Sequence, residues 1–194
     1  MVRELTEKER KEMMKEFLHT IKSTHHSFLS FMWGEFGLRR KPRATVIVPV
    51  AGEESGLVIQ NRRITIATGE VDSSLRDDIE YKKWIFEAAY HTAHESGHYL
   101  HAFANPKVMS KKWVARYERK KDEWVLDEVV ADMSSIIYLG ELGKKREARR
   151  FVENDKLRRI ALGVYEEDKD LLPFLVTMDA REARDVIENY TGRN

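Results

Sequence analysis

AAYHTAHESGHYLHAF, residues 88–103, carries four of the chain's seven histidines in a segment that otherwise reads as a buried helix. Inside it stands His94-Glu95-Ser96-Gly97-His98, an H-E-x-x-H pattern. Four residues of α-helix turn about 400°, which stacks His94 and His98 on one face with Cβ atoms roughly 6 Å apart. Imidazoles on successive turns can converge on one ion, each bond about 2.0–2.1 Å long. Glu95 lies about 100° around the helix. It is off the ligand face, yet within reach of a water beside such an ion, where a carboxylate acts as general base. Gly97 is the segment's sole helix breaker; it costs about 1 kcal/mol of helix propensity, a cost that a close approach by another backbone or by substrate would justify. His91 and His101 extend the stripe at spacings of 3, 4 and 3. Four histidines on one straight helix cannot all reach one ion. The outer two are therefore read as groups that hydrogen-bond across a cleft or sit at its rim.

Two histidines leave a site incomplete, because catalytic zinc usually has three protein ligands and an open position. Chance alone places the bare motif in a few per cent of comparable chains, so a third ligand is needed to lift it above coincidence. Cysteine is absent, and the remaining ligand has to be His, Asp or Glu. An extended pattern with Gly and His three and six residues after His98 fails, since those positions hold His101 and Ala104. The better source is WVLDEVVADMSSIIYL, residues 124–139. Glu128 and Asp132 share one face of that apolar helix, and buried carboxylates need compensation. Glu128 as third ligand and Asp132 as the group that orients a ligand histidine would supply it. Glu123 and Asp127 stay open as alternatives, although Asp127 points about 100° from Glu128 and suits solvent better.

The segments around these two helices define an α+β chain. Residues 5–33 form an amphipathic helix, opened by a Thr6/Glu9 capping box, with Met14, Phe17, Leu18, Ile21, His25, Phe28, Leu29 and Met32 at helical spacing. Its His19, His25 and His26 are read as structural or surface groups. ATVIVPV (44–50) and GLVIQNRRITIAT (56–68) are rich in β-branched residues and read as a small antiparallel sheet. The H-E-x-x-H helix is expected from about Asp77 to Ala104, the second core helix over Glu123–Leu139, and further helices over roughly 144–162 and 179–190. One domain is expected, made of an N-terminal helix (1–37), a core (44–140) and C-terminal helices (141–194). No linker or repeat divides it.

Composition narrows the functional classes. Lys+Arg at 34 against Asp+Glu at 33 gives no electrostatic case for nucleic acid. There is no 18-residue apolar run, and the charged start MVRELTEKERKEMMKEF lacks the apolar stretch of a signal peptide. No membrane association and a cytoplasmic location are the expectations. A single Gln60 beside 35% charged residues resembles the composition of hyperthermophile proteins. The run KKREARR (144–150) is read as a solvated helix face, since acidic residues lie close by.

His94-Glu-Ser-Gly-His98 followed by Glu128-Val-Val-Ala-Asp132 resembles the gluzincins, zinc-dependent peptidases, and in layout their compact soluble forms, the minigluzincins and the ImmA/IrrE-like peptidases. The likeness covers roughly residues 56–140. It implies a zincin-like fold, Zn2+ held by His94, His98 and Glu128, Glu95 as general base, Asp132 as support, and a peptide or protein substrate. It also implies that RRITIAT (62–68) is the sheet-edge strand that binds the substrate backbone. Such enzymes commonly steady the oxyanion with a Tyr or His, for which Tyr138 and His101 are the candidates. The alternative is a catalytically inactive zincin-like regulatory or protein-binding module, for which a fourth ligand such as His101 would argue. Metal-dependent hydrolysis of another bond is a third reading. Cleavage specificity and oligomeric state are not legible.

Overall fold

The computed structural model describes residues 4–36, 42–52, 55–58, 63–105, 121–152, 161–166, 169–178 and 186. Helix α1 spans Glu7–Phe36. Its start is the capping box: Thr6 N–H donates to Glu9 Oε2 at 2.7 Å and Glu9 N–H to Thr6 Oγ1 at 3.2 Å. Two orphan amides of the first turn are thereby satisfied. The expected stripe is its buried face, with Phe17, Ile21, His25, Phe28, Leu29 and Met32 all inside.

Three short strands follow: β1 (Val46–Val50), β2 (Gly56–Val58) and β3 (Arg63–Ala67). The sheet order is β1-β3-β2. β1 runs parallel to β3, with Ile47 opposite Ile64, and β2 runs antiparallel to β3, with Leu57 opposite Ile64. The expectation of an antiparallel sheet is therefore corrected: the sheet is mixed. AGEES does not close a hairpin, and β3 inserts between the two earlier strands. Burial explains the order, because Ile64 and Ile66 are fully buried and the strand with the strongest apolar alternation takes the middle. The strand within RRITIAT, Arg63–Ala67, is consequently central and not an edge; among the described residues the edges are β1 and β2. The QNRR turn lies outside the described residues.

Helix α2 spans Asp78–Ala104. Asp77 caps it, its Oδ1 accepting from the amides of Ile79 and Glu80 at 2.8 and 3.2 Å, as short acceptor side chains do at helix starts. Trp84 Nε1–H donates to Thr68 O at 2.7 Å and Tyr99 O–H to Arg43 O at 2.7 Å, tying the helix to the end of β3 and to the approach to β1. Helix α3 spans Lys121–Glu141, two residues longer at each end than expected. α2 is the hub of the fold, packed on α1, α3 and the sheet. Helices α4 (Lys145–Val152), α5 (161–166) and α6 (Leu172–Leu175) follow. α4 buries Ala148 and exposes its basic residues, as read for KKREARR. The last expected helix, 179–190, lies almost wholly outside the described residues. Helices and a small segregated sheet make the chain α+β. No helix among the described residues is long and apolar enough to cross a membrane.

Candidate metal centre

The site begins with a contact between backbones. A Cβ added to Gly97 would lie 2.7 Å from Ala131 Cα and 3.0 Å from Ala131 O, closer than any side chain can sit. Glycine at 97 thus lets α3 press against α2 at Ala131. Glu128 lies three residues before that contact and Asp132 one after it, so the crossing brings both carboxylates onto the histidine face of α2.

His94 and His98 converge as helical spacing requires, with their Nε2 atoms 3.1 Å apart. Glu128 Oε2 lies 3.4 Å from His94 Nε2, and its Oε1 lies 3.8 Å from His98 Nε2. Glu95 belongs to the same constellation: ligand atoms of His94, Glu95 and His98 all lie within 4.8 Å of one another. These residues could hold a metal ion. Glu95 completes the cluster on α2 itself, while Glu128 approaches both Nε2 atoms from α3.

The far sides of both rings are held by carboxylates. His94 Nδ1–H donates to Asp132 Oδ1 at 2.8 Å, which also accepts from Tyr90 O–H at 2.8 Å. His98 Nδ1 lies 2.8 Å from Asp127 Oδ2. A carboxylate only accepts, so His94 Nδ1 carries the proton and its Nε2 presents a lone pair; the His98 Nδ1 contact with Asp127 is at ion-pair distance but is not aligned as a hydrogen bond. The two Nε2 atoms face one another beside the Glu128 carboxylate, an arrangement that a ring proton or a metal ion can satisfy. Two ligands each 2.0–2.1 Å from a tetrahedral ion stand roughly 3.3 Å apart, and the separations here, 3.1, 3.4 and 3.8 Å, bracket that value.

In the metal-free chain a proton can take that place. Burial opposes charging His94, but Asp132, joined by Glu128 and Glu95, outweighs it and raises the imidazole well above its ordinary range. His98 is likewise disfavoured by burial, yet Asp127 lifts it to about 9. Burial raises Glu95, partly offset by His98 and His94. Burial opposes ionising Asp127 too, and His98 with His101 overcomes this and holds it well below the carboxylate range.

All five expected site residues come together: Glu95, His94, His98, Glu128 and Asp132. Other expectations are corrected. Asp127 does not face solvent; it is buried between His98 and His101, whose Nδ1 lies 2.6 Å from its Oδ1. Tyr138 turns onto α1, bonded to Ser27 and packed on Phe28 and Phe31. His101, directed at Asp127, lies outside the His94–Glu95–His98 constellation. His91 packs edge-on against Phe151. His25 is a buried brace: its Nε2 accepts Thr45 N–H at 3.1 Å and its Nδ1 meets Ser96 Oγ at 2.8 Å. Since Ser96 O–H donates to Thr92 O at 2.5 Å, His25 Nδ1 is the donor to Ser96. Tyr90, one turn before His94 on the same face, and His25, on the apolar stripe of α1, were signalled by helical spacing alone.

Compared with known proteins, the chain matches no family model, no curated protein and no solved structure.

Proposed function

We propose that this chain is a zinc-dependent peptidase of gluzincin type, with a zincin-like core, in which His94, His98 and Glu128 hold the metal. The observation that carries the reading is the convergence of the His94 and His98 Nε2 atoms and the Glu128 carboxylate on one point, with a second carboxylate, Glu95, beside it. Zinc bound there would supply a more acidic water and polarise a substrate carbonyl.

The chain's own residues provide the rest. Asp132 fixes His94 in the tautomer that presents Nε2, and Asp127, 2.8 Å from His98 Nδ1, would do the same for His98. Glu95, whose proton affinity is raised by burial, takes a proton from the attacking water and delivers it to the leaving amine as the C–N bond breaks, a transfer favoured by a carboxylate tuned toward neutral pH. A site closed by a fourth protein ligand would favour a purely structural metal. His101, the residue suited to close it, lies outside the cluster of ligand atoms that His94, Glu95 and His98 form, which favours the catalytic reading over an inactive module.

Glu95→Gln tests the proposal on a mixed peptide library. The zinc-loaded wild type should cleave peptides. The variant should bind zinc normally and lose hydrolysis by at least about 100-fold, the range for a general base. Equal cleavage by both proteins would remove Glu95 from the reaction, and no cleavage by the zinc-loaded wild type would overturn the peptidase reading.

A further inference from the structure

Helix α2 carries a polar chain beyond His98. His101, one turn on, is buried, and its Nδ1 lies 2.6 Å from Asp127 Oδ1. The other oxygen of that carboxylate lies 2.8 Å from His98 Nδ1, at ion-pair distance though not aligned as a hydrogen bond. A single aspartate therefore joins an imidazole that reaches the metal centre to one that does not. The terminal torsion of an aspartate is soft. Without the His101 contact, the carboxylate could swivel and let the His98 ring turn with it. The His101 donor on its other oxygen fixes the carboxylate plane, and with it the direction of His98 Nε2.

His101 makes this contact at a cost. Its Nε2 is buried and has no hydrogen-bond partner among the described residues, and a buried unsatisfied group is unfavourable. A leucine would fill the space without that cost. An ordinary core histidine, of the kind His25 represents, has both ring nitrogens occupied. His101 has one nitrogen occupied, on the carboxylate that braces His98.

We propose that His101 is a positioning residue for the metal centre, clamping Asp127 so that His98 presents Nε2 to the ion. The proposal rests on the metal-site reading above. It predicts that the Nδ1–H donor of His101 matters and that its bulk does not.

His101→Leu removes the donor, whereas His101→Asn returns an amide N–H close to the Nδ1 position. Zinc affinity of each, measured by competition with a chromogenic chelator, is compared with wild type, and thermal unfolding of the metal-free proteins reports packing loss separately. His101→Leu should bind zinc about 10-fold or more weakly, the usual effect of losing a partner behind a metal ligand. His101→Asn should recover most of that loss. Nitrogen chemical shifts of His98 should show its Nδ1–H tautomer preserved in the Asn variant and mixed in the Leu variant. Should the Leu variant fail to fold, His101→Gln replaces it, since its amide reaches toward the Nε2 position and should not rescue. Unchanged affinity in the Leu variant, or equal weakening in Asn and Leu, overturns the clamp while leaving the metal site standing. A wild-type chain that takes up no zinc overturns the metal reading itself and the clamp with it.

Discussion

Gly97 and Ala131 meet backbone to backbone: a Cβ at position 97 would stand 2.7 Å from Ala131 Cα. This contact sets the register between the two helices that supply the candidate site. Gly97→Ala should therefore do harm although alanine is the better helix former. The gain of about 1 kcal/mol in propensity is opposed by overpacking, which commonly costs 1–3 kcal/mol and more where backbone has to move. We expect a net loss of about 2 kcal/mol in denaturant unfolding, accompanied by weaker metal binding as Glu128 is pushed away. A variant as stable as wild type would show that the crossing is loose.

Asp132 is the shared acceptor of His94 Nδ1–H and Tyr90 O–H. Asp132→Ala should weaken zinc binding by about 10–100-fold, as for other groups that orient a ligand histidine. Tyr90→Phe removes one donor and leaves the His94 contact, so its effect should be smaller. Chelator competition measures both, and a larger loss in Tyr90→Phe would contradict the assigned order.

His25 gives a stability prediction with a definite sign. Burial, with a contribution from His26, lowers its pKa from 6.5 to about 4, and its neutral form is the one that accepts Thr45 N–H. Below the unfolded pKa the unfolded chain binds the extra proton first, so stability is fully present above about 6.5 and is lost as pH falls toward about 4. His25→Leu should be less stable at pH 7, because Thr45 N–H loses its acceptor and Ser96 Oγ a donor, yet depend less on pH across that window. Chemical denaturation at a series of pH values would show it. An unchanged acid slope in the variant would assign the loss to other groups.

The site was largely legible because helical spacing is a strong rule and the residues obey it. His94 and His98, then Glu128 and Asp132, needed only to face each other, and Gly97 marked where. Asp127 was misjudged because the 100° offset was measured on an isolated helix. α3 is buried almost all round, with Val129 through Ile136 every one inside, so no face was left for solvent. The apolar run around Ser134 and Ser135 carried that signal. Strand order was not legible: short β-branched segments separated by turn residues look the same whether they close a hairpin or admit a third strand. Tyr138 illustrates a related limit, since an aromatic hydroxyl near a motif in sequence can turn toward α1 and the core.

The most direct test is calorimetric titration of the metal-free protein with Zn2+ at neutral pH, in two buffers of different ionisation enthalpy, for wild type and His94→Ala. The account predicts one ion per wild-type chain, bound with release of protons because the cation displaces those held by the raised imidazoles, and loss of that binding in the variant. No uptake by wild type, or the same uptake by His94→Ala, would contradict it.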